Sequence, residues 1–193
     1  MSPLLCRLRT AAVLAVSFFL LAGGVFPLVL WALSQIAFPR QADGSLIHTD
    51  QVVIGSRLIG QAFTDHRYFQ PRPSAAGSGY DAAASGASNF GPANPRLLDD
   101  VQRLAAAYRA VNGLAEGAPV PVDAVTRSGS GLDPHISVEN AQLQIARVAR
   151  TRGLDTTVVR ALVRIHTEGP ALGVLGERGV NVLLLNIALD SIR

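Results

Sequence analysis

Lysine is absent: all 17 basic side chains in these 193 residues are arginine. A phosphate-binding P-loop needs lysine to reach the β- and γ-phosphates. Schiff-base catalysis needs it as the nucleophile. Both classes are excluded. Cysteine occurs once, at Cys6, so there is no disulfide and no thiolate metal site. Cys6 also precedes the long apolar stretch, whereas the lipid-attachment cysteine of a secreted lipoprotein would follow it. The four histidines, His48, His66, His135 and His166, show no paired metal spacing, and no His-Glu-x-x-His or calcium loop occurs. No Gly-x-Ser-x-Gly turn is present either. The formal net charge is +3, but Arg7 and Arg9 lie beside the apolar stretch and leave 15 arginines against 14 acids elsewhere. That balance forms no basic stripe, so nucleic acid is not expected as a partner.

What is present is concentrated apolarity. Residues Thr10 to Phe38 form a run of 29 without a charge. A bilayer core needs about 20 helical residues, whereas the apolar part of a signal peptide has only about 7–15. The weak Ala32-Leu33-Ser34 site does not favour cleavage. The run predicts an uncleaved transmembrane helix. Arg7, Arg9 and the amino group precede it, while Arg40 after it is soon followed by Asp43, which predicts a cytoplasmic N-terminus. The expected organisation is a cytoplasmic tail at 1–9, a span at 10–38 and a body at 39–193 outside the cytoplasm. Gly23, Gly24 and Pro27 sit near the centre of the span, where proline usually kinks a helix. Ala11, Ala15, Ala22 and Gly23 offer a small-residue surface to another helix; equally, Gly and Pro are simply commoner in membrane helices. No ionisable group lies in the run, which suits scaffold better than conduit.

The body predicts an α+β domain with a small sheet and several helices. Val52–Phe63 reads as β structure broken by Gly55 and Gly60. Residues 71–95 form a long Gly, Ser, Ala, Asn and Pro stretch, with Tyr68, Phe69, Tyr80 and Phe90 in or beside it. Such a pattern predicts an ordered loop pinned by buried rings. Asn94 caps a helix with Pro95 in its first turn, ending at Asn112-Gly113. Val120–Thr126 reads as a strand. A helix follows Ser137 and stops at Gly153, a third is capped by Asp155, and Val180–Leu189 is assigned as a helix capped by Asn181.

Ser128 to His135 holds Ser, Asp and His within eight contiguous residues. A triad needs groups converging from separate elements, so a tight turn ordered by Asp133 is the better reading. An anchored hydrolase using Ser130 and His135 stays as the enzymatic alternative, and an envelope scaffold protein as another. Glu168 and Glu177 form a carboxylate pair only if the fold brings them together.

The order of motifs is more specific than any one of them. After the basic tail and the Gly-Gly-Val-Phe-Pro span come Gln41-Ala42-Asp43-Gly44-Ser45-Leu46, Gly55-Ser56-x-Leu58-Ile59-Gly60-Gln61-x-Phe63 and Tyr68-Phe69-x-x-Arg72-Pro73-Ser74-Ala75. Ser85-Gly86-Ala87-Ser88-Asn89, Val120-Pro121-Val122 and Ser128-x-Ser130-Gly131-Leu132-Asp133 follow. Arg147-Val148-Ala149 and Val180-Asn181-Val182-Leu183-x-Leu185-Asn186 close the series. Across essentially the whole chain this resembles the KdpC family, the C subunits of the Kdp potassium-transporting ATPase. The resemblance implies a non-catalytic subunit of an ATP-driven, high-affinity potassium importer in the bacterial inner membrane, with a single span and a periplasmic domain. Its implied partners are a channel-like A subunit, a P-type ATPase B subunit and the small F subunit. It implies a catalytic chaperone that stabilises the complex and raises the ATP affinity of the B subunit, with ATP as the implied cofactor acting through that subunit. Arg72, Ser74, Ser88, Asn89, Asp133 and Asn181 are the expected interface or structural residues. Two positions depart from the family: Ala87 stands where a second glycine is common, and Leu184 where an acid is usual.

Overall fold

In a computed structural model, residues 2–49 and 51–192 are described. The chain divides into two compact units, the first ending at Leu46 and the second starting at Ile47.

The first unit is built on a helical run, Pro3–Ala37, of 35 residues and with none of them buried. It is long and apolar enough to cross a bilayer. Its parts are α1 (Pro3–Leu20), a π-helical turn at Leu21–Val25 and α2 (Phe26–Ala37). The sequence explains the wide turn. Pro27 has no N–H and its ring crowds the carbonyl four residues back, at Gly23. A π turn is a common way to absorb that mismatch, and here the Phe26 N–H donates to the Leu21 carbonyl across it. A short helix α3 (Pro39–Ala42) follows.

At the junction, β1 (Leu46–Thr49) pairs with β2 (Val52–Ser56). The β reading of Val52–Phe63 thus holds only as far as Ser56. Beyond it the Ser56 hydroxyl accepts from the Leu58 amide and turns the chain. From 57 to 94 the second unit contains no helix or strand. Then come α4 (Pro95–Asn112), α5 (Val122–Val125), β3 (His135–Ser137), α6 (Val138–Arg152), α7 (Thr156–Ile165), β4 (Thr167–Glu168), β5 (Gly179–Asn181) and α8 (Val182–Asp190). Fold class is therefore α+β with a small sheet, in the order β3-β5-β4, antiparallel throughout.

The caps follow the sequence. Side chains of Asn94, Ser137, Asp155 and Asn181 accept from the amides of Arg96, Asn140, Thr157 and Leu184. Each oxygen satisfies an orphan helix donor. Gly113 and Gly153 end α4 and α6 in the left-handed conformation. One expectation fails. Val120–Thr126 is not a strand: Val122–Val125 forms the short helix α5, entered from Pro121. The Thr126 hydroxyl donates back to the Val122 carbonyl. Asp123 spends its carboxylate on the Ser137 amide and hydroxyl and on Asn140 Nδ2. These local bonds outweigh the β propensity of the valines.

The core joins Ile136, Ile145, Val148, Val159, Val163, Val180, Leu185 and Leu189 with Phe69 from the long loop. How a structureless loop places Phe69 at 0% exposure is settled by amide side chains. Asn186 of α8 accepts from the Phe69 amide at 2.9 Å and donates to its carbonyl at 3.0 Å. Gln144 of α6 does the same for the next residue, Gln70, at 2.8 and 3.0 Å. Two carboxamides thus pair with consecutive residues as a neighbouring strand would. Beneath them Arg147, 1% exposed, donates to the carbonyls of His66 and Tyr68 and to Asn112 Oδ1 and Gln144 Oε1.

Replacing Arg147 by Met leaves the His66 and Tyr68 carbonyls and Asn112 Oδ1 without this donor, while Gln144 Oε1 keeps the Gln70 amide. Buried unsatisfied acceptors cost about 1–3 kcal/mol each, so Arg147→Met is expected to lower stability by about 3 kcal/mol or more. Exchange of the Phe69 and Gln70 amides in the full chain in micelles should accelerate. The exposed Arg150→Met should leave it unchanged.

Candidate functional site

Three loops meet at Gly131. Its φ is +68°, and a β-carbon there would lie 2.6 Å from the Gly86 carbonyl oxygen and 2.7 Å from the Ala76 nitrogen. Only glycine suits both the conformation and the approach. Around it Ser74 Oγ donates to the Gly131 carbonyl at 2.6 Å and accepts from the Ala76 and Tyr80 amides. The Gly86 amide and Ser85 hydroxyl both donate to the Ser130 carbonyl. The Gly60 amide donates to the Leu132 carbonyl. Tyr80 completes the join by donating its hydroxyl to the Arg72 carbonyl, and burial pushes its phenol pKa up.

A chain of charges runs from this junction across the sheet. Arg72 pairs with Asp133 at 2.9 Å, and Arg57 with Glu168 at 2.7 Å. His135 stands between the two carboxylates, with Nδ1 3.7 Å from Asp133 and Nε2 3.4 Å from Glu168. The register explains the reach. Glu168 on β4 pairs with Gly179 of the central strand, while His135 on β3 pairs with Asn181, two residues further along the same face. A β-carbon at Gly179 would press within 3.2 Å of His135, so the missing side chain lets the ring lie across β5. Asp133, and then Glu168, raise the His135 pKa, with partial burial opposing them. Burial pushes Asp133 up, but bonds from His135 and Arg72 outweigh it and hold the carboxyl low. Arg72 Nε is buried without a hydrogen-bond partner.

The structure therefore brings Arg72, Ser74 and Asp133 into one junction. Asn181 joins from β5, opposite His135 and donating to the Arg57 carbonyl. Ser88 and Asn89 stand apart; no hydrogen bond links either to this group among the described residues. Asn89 instead occupies a left-handed turn position at φ +53°, which Asn tolerates. Sequence reasoning missed Arg57 and Gly179 and named Glu168 only as a pair with Glu177; no spacing along the chain signals these contacts. Ala87 is not among the positive-φ residues, so its β-carbon carries no conformational cost. Among the described residues, no hydrogen bond joins Ser130 to His135. Both imidazole nitrogens face carboxylates, and Ser130 Oγ is engaged with the Leu132 amide and Ser128.

The chain matches the family model described as "K+-transporting ATPase, c chain" over residues 8–191. A protein of Mycobacterium tuberculosis named "Potassium-transporting ATPase KdpC subunit" is 52% identical over 184 residues, covering 95% of this chain and 97% of its own. Proteins of the same name from Sorangium cellulosum and Rhodospirillum rubrum are 53% and 54% identical. They cover 98% and 97% of this chain, and 100% and 96% of their own lengths. This chain belongs to the KdpC family. It is thus a subunit of a potassium-transporting ATPase, and the Pro3–Ala37 helix fits anchoring in a membrane complex.

The family places an ATPase around this chain, so fit to ATP matters. One cavity, about 690 Å³, is lined by Arg160, Arg164 and Arg178 but also by Glu139 and Glu177, and by no aromatic ring. Carboxylates beside a polyphosphate oppose it, and nothing there stacks on a base.

The charge chain has a pH signature. A raised His135 pKa means that pairing stabilises fully below the ordinary value near 6.5 and is lost as pH rises through the raised value. The ring is about one-third exposed, so screening keeps the effect below about 1 kcal/mol. The stability advantage over His135→Gln should be present below the ordinary imidazole range and fade as pH rises above it. A pH-independent gap would contradict the pairing.

Proposed function

We propose that this chain is the non-catalytic C subunit of an ATP-driven potassium importer, stabilising the complex and raising the ATP affinity of its P-type ATPase subunit. The observation that carries this is the family match over nearly the whole chain, joined to a body whose polar residues are tied into loop junctions rather than aimed into a reaction site. The channel-like A subunit, the ATPase B subunit and the small F subunit are the proposed partners. Arginine bias around the span favours the inner membrane, with the N-terminus cytoplasmic and the body periplasmic.

That topology separates the body from cellular ATP. The effect on ATP therefore acts by linkage. A subunit that binds one conformation of the ATPase better than another shifts ATP affinity by the same coupling free energy, without touching ATP. Tenfold tighter ATP binding requires about 1.4 kcal/mol of difference, which a few interface contacts can supply.

The junction at Gly131 is the proposed docking pad. Arg72 and Asp133, 61 residues apart, lock two loops into one surface, and Ser74 fixes its centre. Asp133→Ala frees the Arg72 guanidinium and the His135 amide. It is expected to reduce recovery of the complex in mild-detergent pull-down and to lower potassium-stimulated ATPase several-fold. Normal values for both would remove the pad from the interface. Recovery of the unaltered chain without any large ATPase subunit would instead favour an envelope scaffold. A cysteine placed at Ser45 should react with an impermeant reagent from outside the inner membrane; protection there would reverse the topology.

A further inference from the structure

Between β4 and β5 the chain projects a hairpin. Residues 169–176 carry no charge. Ala171 and Leu175 exchange backbone hydrogen bonds at 2.8 and 2.9 Å, and the Val174 amide donates to the Ala171 carbonyl. Leu172 and Gly173, at φ +55° and +79°, make this a tight turn with two left-handed residues. Asn or Gly normally fills the first such position, because a branched side chain is strained there. Here it is leucine, and its side chain is 91% exposed, with Val174 at 80% and Leu175 at 61%. Strain and apolar exposure coincide at one tip, a combination that persists where function needs it.

The foot of the hairpin is basic. Gly169 and Arg178, on its two stems, line the 690 Å³ cavity together with Arg160 and Arg164, one turn apart on α7. None of these three guanidinium groups makes a hydrogen bond or ion pair among the described residues. Glu139 and Glu177 leave the cavity only one charge in excess, so a free multivalent anion gains little. A bilayer interface is different. It accepts apolar side chains and offers phosphates to guanidinium groups on flexible, apolar stems in one plane. The chain also supplies proximity: nine residues, 38–46, separate the end of α2 from the second unit, a reach of at most about 32 Å. A tether of that length raises the effective concentration of an otherwise marginal contact.

We propose that the hairpin around Leu172 is a membrane-docking finger. Leu172, Val174 and Leu175 enter the interface of the bilayer that anchors the chain, and Arg160, Arg164 and Arg178 meet the phosphates of its anionic phospholipids. This rests on the anchoring part of the proposed function and on no partner subunit.

The test uses the full chain with Cys6→Ser and an environment-sensitive fluorophore on Leu172→Cys, in nanodiscs of anionic phospholipid with brominated acyl chains. Quenching is expected at position 172 and not at the exposed reference Glu116→Cys. The docked-to-free ratio should fall about fivefold for each of Arg164→Gln and Arg178→Gln, and similarly on removing anionic lipid. Co-elution with the disc but no quenching at 172 overturns the finger and leaves the anchor standing. Failure to co-elute overturns the anchor and the finger with it. A spectral shift produced by inorganic phosphate in neutral discs removes the lipid. A shift that needs added transporter subunits and shows no bromine quenching assigns the tip to a protein socket instead.

Discussion

The body depends on a buried cation with no counterion. Arg147 is almost fully enclosed, and none of its four acceptors is a carboxylate. Burial lowers its pKa to about 10, still well above neutrality, so the charge persists and must be solvated by dipoles. Two of those dipoles are carbonyls of the long loop, at His66 and Tyr68. The cation therefore prescribes where the loop lies. Its neighbours are ordered in turn: the Gln144 oxygen it holds leaves Gln144 oriented to pair with Gln70, and Asn112 is braced against the Tyr108 carbonyl. A lysine could not serve, since only a planar fork meets four acceptors at once.

From that constraint the rest of the body follows. Once Phe69 and Gln70 are fixed, the chain reaches Arg72 and Ser74 at the junction with the 128–133 loop. There the limit is space. Gly131 and Gly60 each lack a β-carbon because backbone oxygens occupy its place. Loops normally stay mobile for want of partners; here backbone and side-chain bonds replace the missing ladder. The outcome is a surface made of irregular chain, yet held by the same donors and acceptors that would serve a sheet.

The sequence was legible where signals are local. Caps at Asn94, Ser137, Asp155 and Asn181, and stops at Gly113 and Gly153, specify their helices because each acts within one turn. The loop's ordering was legible in outline from its aromatics, and Phe69 is indeed buried. The strands were not. β3, β4 and β5 have two or three residues each, too short for alternation to register. Val120–Thr126 misled because its β-branched pattern is real, but Asp123 places its bonds elsewhere. At the site, Arg72, Ser74 and Asp133 converge, while Ser88 and Asn89 do not. Glu168 went unremarked as a partner of His135, since a contact across a third strand has no trace in spacing.

Pairing also limits reactivity at the junction. Catalysis needs a group left unsatisfied until substrate arrives, with its pKa set near the working pH. In this body the titratable groups nearest the junction are already paired, Asp133 and Glu168 held low and His135 held between them. Such pairing removes reactivity and adds rigidity. Rigidity is what linkage demands, because a body that deforms on contact spends on its own rearrangement the binding difference between two conformations of a partner. On the proposed reading, a stiff pad on irregular loops, tethered by an apolar helix, favours one state of a larger machine through binding alone.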